Sequence, residues 1–525
     1  MKAKTVAGTS EQEFKGIRNY LWPIHDHELK KFLPMGLMML FILFNYTLMR
    51  DIKDVLVVTA PGSGAEVLSF LKLFGVLPAA ILFMVAYVKM ANVMSSEKIF
   101  YTLVTFFMGF FALFGFVLNP MVSHLHMSLV TITSLRSAAP AATFWPIAAI
   151  GNWTFSLFYI LSELWGSVVL SMLFWQFANA TTKIKESKRF YAYYGLIGNF
   201  GLYLSSDVLS WGVRVGKAAQ AAGTTAGNGD GYAENLRLLT TAIVLSCFII
   251  MFIYYWIQKN VLTDPKLFDP SQIKVKKEKT KLTLVESFKC IFSSPYLGYI
   301  LLLVLGYNIC INLVEGVWKS QVKIAYPDRN DYSSFMALLS KTTSIFTILF
   351  TFIGMNILRR CKWRTAALIN PLIVLGTSVL FFFLLRYSRV NDPHMSVHFL
   401  GLTTTVVMLS VVMGLFQNVA CKGTKYSLFD STKQMAYIPL DPELKTKGQA
   451  AVEVIGGRFG KSGGAMIQAG LLAICGGGTT LMALTPIIGP VVLFIAAMWL
   501  LSVFGLNKKF LSLTAQREKE SEGKA

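Results

Sequence analysis

The chain has 525 residues, 54% of them hydrophobic and 15% charged, with a formal net charge of +21. Soluble domains carry roughly 25% charged residues. Apolar runs of membrane-spanning length recur from end to end here, which excludes a soluble enzyme and predicts an all-α polytopic membrane protein.

Basic loops facing anionic lipid account for much of the surplus charge, and an anionic solute is a second source. The six cysteines are scattered without a CxxC pair, and the histidines form only loose pairs without Cys or carboxylate neighbours. Neither a disulfide, nor a metal site, nor a cofactor is expected.

Residues 1–31 are polar and lack the apolar stretch of a cleavable signal, while Phe14, Ile17, Leu21 and Trp22 suit a short helix lying on the membrane surface. Apolar segments follow at about 32–50, 66–90, 98–118, 144–178, 190–212 and 236–258. The stretch 119–143 leaves room for a re-entrant segment. A lysine-rich linker, 259–294, divides the chain near its middle. A second set of segments falls at about 295–318, 332–357, 364–385, 397–421, 447–475 and 482–505, before a polar tail at 506–525. Each is long enough to cross a hydrocarbon core of roughly 30 Å at about 1.5 Å per residue. The expectation is about twelve spans in two bundles, 32–258 and 295–505, paired by pseudo-symmetry in the major-facilitator manner.

Lysine and arginine concentrate in the N-terminal segment, "KIKESKR" (183–189), the linker, "RRCKWR" (359–364) and "NKKF", while opposite loops such as "CGGGTT" are poor in charge. Both termini and the linker are therefore expected in the cytoplasm. An internal echo supports two related halves. "ESKRFYAYYGLIGNFG" (186–201) aligns without gaps on "KTKGQAAVEVIGGRFG" (445–460), with Gly198/Gly457, Phe200/Phe459 and Gly201/Gly460 among the identities. The second stretch runs on into Gly-Lys-Ser, the ending of a P-loop. A P-loop needs a further glycine five places before Gly460, where Ile455 stands. These glycines are expected to allow close helix packing instead.

Ionisable groups inside a membrane are costly and typically face a wet interior. The fourth span offers Asn152, Ser156, Tyr159, Glu163 and Ser167 on one helical face, and the seventh offers Asn308, Asn312, Glu315 and Lys319. Tyr46, Arg50 and Lys53 end the first span, Asn199 lies in the fifth, Lys341 in the eighth, and Arg458 and Lys461 in the eleventh. These residues are the candidate translocation path. Structural alternatives exist: local pairs with Asp51 and Asp54, an architectural Glu315–Lys319 pair, and snorkelling by Lys341 and Lys461. Cations outnumber carboxylates, which favours an anionic substrate, and Asn and Tyr suit a base or ribose. The residues alone leave a nucleotide, a sugar phosphate and a dicarboxylate open.

Four longer blocks narrow the substrate. "NYTLMRDIKDVLVVTAPGSGAEVLSFLKLFGVLPAA" (45–80), "FYILSELWGSVVLSMLFWQFAN" (158–179), "NLVEGVWKSQVK" (312–323) and "KTKGQAAVEVIGGRFGKSGG" (445–464) resemble the ATP/ADP translocases of plastids and obligate intracellular bacteria. The resemblance covers nearly the whole chain. The lysines and glutamates regarded as essential in that family carry onto Lys53, Glu163, Glu315 and Lys447, with Lys445 two residues before the last. The resemblance implies exchange of external ATP for internal ADP, with phosphate involved, in a bacterial cytoplasmic membrane. It implies no enzyme activity, no nucleic-acid partner and no obligatory protein partner. Proton-coupled net import of nucleotides, known among paralogues, and carriage of another organic anion are the alternatives.

Overall fold

A computed structural model describes residues 24–225, 230–265, 267–268, 294–390, 396–399 and 402–522. The expected surface helix around Phe14 and Trp22 and most of the linker lie outside the described residues. Twelve long helices carry the described chain. The first six are α1 (Leu29–Val58), α2 (Ala65–Val93), α3 (Ser96–Leu118), α4 (Trp153–Thr181), α5 (Ile184–Ala221) and α6 (Tyr232–Asn260). The second six are α7 (Pro295–Ala325), α8 (Arg329–Arg360), α9 (Trp363–Val390), α10 (Val406–Ala436), α11 (Pro442–Cys475) and α12 (Thr485–Glu522). Ten are long and apolar enough to cross a membrane by length and composition, the exceptions being α5 and α11. Connections between consecutive helices are mostly short, so neighbours run antiparallel. The face holding the start of α1 and the end of α12 is called the near face, and its opposite the far face.

The two most extensive helix pairings are α1 with α5 and α7 with α11, equivalent pairs in the two sets of six. Across the halves, α5 packs on α8 and α11 on the first turns of α2. The echoed glycines explain the close crossings. A Cβ added at Gly201 would collide with the backbone carbonyl oxygen of Leu40 on α1, and one at Gly460 would lie 2.8 Å from the Asn308 Cβ on α7. Gly464, in the same run, faces the Asn312 Cβ at 2.6 Å. Gly460 of the Gly-Lys-Ser run and Gly464 just beyond it thus serve the close packing of α11 on α7. Because the Leu40 oxygen is backbone and cannot rotate away, Gly201→Val is expected to destabilise by about 1–3 kcal/mol through overpacking. Thermal unfolding in detergent checks this, and a variant melting with the wild type refutes the close approach.

Two expected spans need correction. The segment 144–178 is not one helix. Phe144–Gly151 is a separate short helix, and the backbone turns at Asn152 (φ −107°, ψ 44°) before α4 begins. With Leu129–Ala138 it builds a two-helix cap on the far face, where Arg136 donates to the carbonyls of Gly62 (2.7 Å) and Phe144 (2.9 Å). The tenth span starts at Val406, not at 397. Ser396–Phe399 and Leu402–Thr405 pair as an antiparallel β-hairpin, which the β-branched run Thr403–Thr405 favours. The helix of α12 also continues to Glu522, through most of the expected tail.

Four helices contain π-helical turns: Leu71–Val76 in α2, Phe114–Leu118 in α3, Gly166–Phe174 in α4 and Lys425–Phe429 in α10. Such turns rotate every residue beyond them relative to an ideal helix, and they occur often at functional sites. Those in α2, α4 and α10 lie beside the charged residues described next.

Candidate functional site

Five charged side chains form one buried chain of contacts between the halves. Glu163 Oε1 of α4 meets Lys53 Nζ of α1 at 3.0 Å, and Lys53 meets Asp54 Oδ1 at 3.1 Å. Asp54 Oδ2 accepts from Lys319 Nζ of α7 at 2.8 Å, and Lys319 meets Glu315 Oε1, one turn back, at 3.2 Å. The Tyr159 ring lies 3.9 Å below the Lys53 ammonium, adding a cation–π contact. Asp54 is therefore the link that joins a lysine of each half. The side chains of Lys53, Asp54 and Lys319 are at most 4% exposed, whereas Glu163 is 31% and Glu315 21% exposed. The outer carboxylates are reachable and the lysines behind them are shut in.

A second layer lies beside the first. The Ser340 hydroxyl of α8 donates to Asp51 Oδ2 (2.6 Å) and accepts from Arg50 Nη2 (2.9 Å), while Arg50 Nε reaches Asp51 Oδ1 at 3.3 Å. Lys72, in the π turn of α2, donates to Asn312 Oδ1 of α7 at 2.8 Å. Lys422 of α10 is in Coulombic range of Arg50, Glu315 and Lys319.

Toward the far face, polar contacts seal the halves together. Ser69 donates to Gln468 Oε1 at 2.7 Å, and Glu66 Oε1 accepts from the Leu481 amide at 3.0 Å and from Ser320 at 3.4 Å. Lys323 donates to the Ser63 carbonyl, and Trp145 Nε1 to the Thr479 carbonyl at 2.9 Å. These ties join the far-face ends of α1, α2, α7 and α11, so the Asp54 link sits at the inner edge of a closed far face.

The expected site residues divide. Lys53, Glu163, Glu315, Tyr159, Arg50 and Asn312 join the cluster, and the Tyr46 ring packs beside it against Gly166. Asn152 does not. Its amide donates to the Ala148 (2.9 Å) and Pro61 (3.1 Å) carbonyls, fastening the break before α4. Asn308 donates within its own helix to Val304 and Asn199 to Gly195, and the Asn199 carbonyl accepts from Ser344 of α8 at 2.7 Å. Lys341 is also apart. It pairs with Asp207 at 2.7 Å beside exposed Leu338, Ile345 and Trp211, on the outer edge of the α5–α8 contact. The neighbouring Ser340 points inward to Asp51, so the helical rotation of about 100° per residue turns Lys341 away. The side chains of Lys445, Lys447, Arg458 and Lys461 lie outside the described residues.

The sequence profile of the TLC ATP/ADP transporters matches residues 7–510. Over 98% of this chain and 97% of its own length, the ADP,ATP carrier protein 1 of Chlamydia pneumoniae is 46% identical. The protein of the same name from Rickettsia prowazekii is 44% identical, over 97% of this chain and 99% of that one. The chloroplastic one of Arabidopsis thaliana is 40% identical, over 94% and 76%. The chain belongs to the ATP/ADP transporter family. Among solved structures, a D-xylose–proton symporter superposes with a TM-score of 0.55 at 11% identity, covering 90% of this chain and 97% of that one. A bacterial homologue of the iron transporter ferroportin gives 0.54 at 11%, covering 92% and 99%. At such identities the likeness speaks to the fold, which is major-facilitator-like with twelve helices.

In this ATP/ADP transporter, sequence reading missed Lys72, Lys422 and the bridging role of Asp54. Lys72 stands alone in the apolar run "SFLKLFGV", and Lys422 follows the mostly apolar stretch 406–421 inside a span, so the cost of burying a charge in a membrane was a usable signal. Asp54 carried no such signal. Beside Lys53 it reads as a local partner, and only the packing of α7 on α1 brings Lys319 to its other oxygen.

Proposed function

We propose that this chain exchanges external ATP for internal ADP, with phosphate, across a bacterial cytoplasmic membrane by alternating access, with the near face and both termini in the cytoplasm. The observation that carries the reading is similarity along nearly the full length to proteins named ADP,ATP carriers. The basic near-face loops support the orientation. The charge cluster supports the mechanism. Asp54 holds Lys319 across the halves while the far face is closed, and Glu163 and Glu315 occupy the outer sides of the two lysines. The negative charge of nucleotide phosphates arriving beside the bridge weakens the hold of the carboxylates on those lysines, loosens the bridge between halves and lets the far face open. An empty site with its cations uncompensated in a low-dielectric cavity reorients slowly, so crossing requires cargo in both directions.

Liposomes carrying the purified protein test this. Those preloaded with ADP are expected to take up labelled ATP much faster than empty ones, with little effect of a proton uncoupler. Fast uptake into empty liposomes, abolished by collapsing an imposed pH gradient, transfers the assignment to proton-coupled net import.

A further inference from the structure

We propose that Arg50, Lys72 and Lys422 form the seat for the phosphate chain of the carried nucleotide, beside the Asp54 bridge. The inference rests on the nucleotide reading above and names where in the cluster the anion sits. The cluster contains two kinds of cation. Lys53 and Lys319 are saturated: each touches two carboxylates and is shut in at 4% exposure. Arg50, Lys72 and Lys422 are half-buried and keep donors to spare. Arg50 commits Nε and Nη2 to Asp51 and Ser340, leaving Nη1 unclaimed among the described residues. Lys72 commits one N–H, to Asn312. Lys422 makes no hydrogen bond or ion pair with any described residue, although it is in Coulombic range of Glu315, which Lys72 also faces.

Lys72 and Lys422 share one carboxylate that Lys319 already engages, and among the described residues Arg50 has an ion pair only with the adjacent Asp51, which Ser340 also binds. Holding like charges out of water with too few anions is costly, and an added polyanion relieves it. The donors suit phosphate in kind, a guanidinium edge and two ammonium groups, and a single carboxylate would not occupy all three. They come from both halves, Arg50 and Lys72 from α1 and α2 and Lys422 from α10, so a phosphate chain in the seat touches both. Aromatic residues lie one turn toward the near face on each side: Tyr46 on α1, and on α10 Tyr426, exposed and 4.5 Å from Lys425 Nζ. That layer places the base toward the near face and the phosphates toward the Asp54 bridge.

The test uses the purified full-length protein, labelled ADP and inorganic tripolyphosphate as competitor. The wild type is expected to bind ADP and to release it to tripolyphosphate. K72Q and K422Q, each with the unliganded melting temperature of the wild type, are expected to bind ADP roughly 10- to 150-fold more weakly, the worth of one charge-assisted hydrogen bond. Tripolyphosphate should no longer compete effectively in either, and K422R should retain its competition. Wild-type affinity and competition in both Gln variants overturns the seat, as does wild type that binds ADP but ignores tripolyphosphate. Should K422Q not fold, K72Q and K422R decide: full competition in K72Q, or its loss in a folded K422R, also overturns it. A wild type that binds no adenine nucleotide at all sinks the nucleotide reading itself, a separate outcome.

Discussion

Asp54→Asn is expected to lower ADP/ATP exchange by at least about 100-fold while the protein still inserts in the membrane. The side chain is 2% exposed and holds Lys53 and Lys319 at 3.1 and 2.8 Å. Removing its charge leaves two buried ammonium groups short of a partner, and breaking a buried pair costs roughly 3–5 kcal/mol, or about 150- to 5,000-fold in an equilibrium. Part of that cost falls on the far-face-closed state alone, because Lys319 reaches Asp54 only when the halves are together there. The substitution therefore shifts the resting population toward an open far face. A cysteine at Ser320, which is 7% exposed beside Glu66, reports this directly. In the Asp54→Asn background, labelling of Ser320→Cys by a water-soluble thiol reagent from the far face should rise. Normal exchange with unchanged labelling would show that the bridge holds nothing shut.

Glu163→Gln is expected to separate rate from affinity. Glu163 holds Lys53 at 3.0 Å from the exposed side of the cluster, and it is itself 31% exposed. A carboxylate there repels a phosphate, so its loss does not remove a substrate contact. It removes the group that recaptures Lys53 after cargo leaves. Losing one charge-assisted hydrogen bond of roughly 1.5–3 kcal/mol on a step of the cycle slows it by about 10- to 150-fold. The equilibrium affinity for ADP should change far less, and in the direction of tighter binding. Exchange kinetics in liposomes and equilibrium binding in detergent, measured on the same preparation, decide it. A variant that binds weakly and exchanges at the wild-type maximal rate contradicts this role. The same pair of measurements on Glu315→Gln should agree in sign, because Glu315 stands to Lys319 as Glu163 stands to Lys53.

The sequence by itself determined the membrane class, the number of long helices and the polar helices at the centre. These follow from local properties. Apolar runs set span length, and the costs of burying a charge or crowding a helix crossing mark Lys53, Glu163, Glu315, Gly201 and Gly460 wherever the helices end up. Helical spacing also found true neighbours within a single regular helix, such as Glu315 and Lys319 at 3.2 Å. It failed where regularity failed. The break at Asn152 took that residue out of the α4 stripe, and the π turn beginning at Gly166 leaves Ser167 exposed. It failed again where two surfaces of one helix compete, so that Ser340 faces the cluster and Lys341 the outer edge. Which charges meet across the halves was decided by the tertiary structure alone. Lys319 lies 265 positions from Asp54 in the sequence. No local pattern encodes a contact that exists only because two sets of helices distant in sequence close on each other at one face.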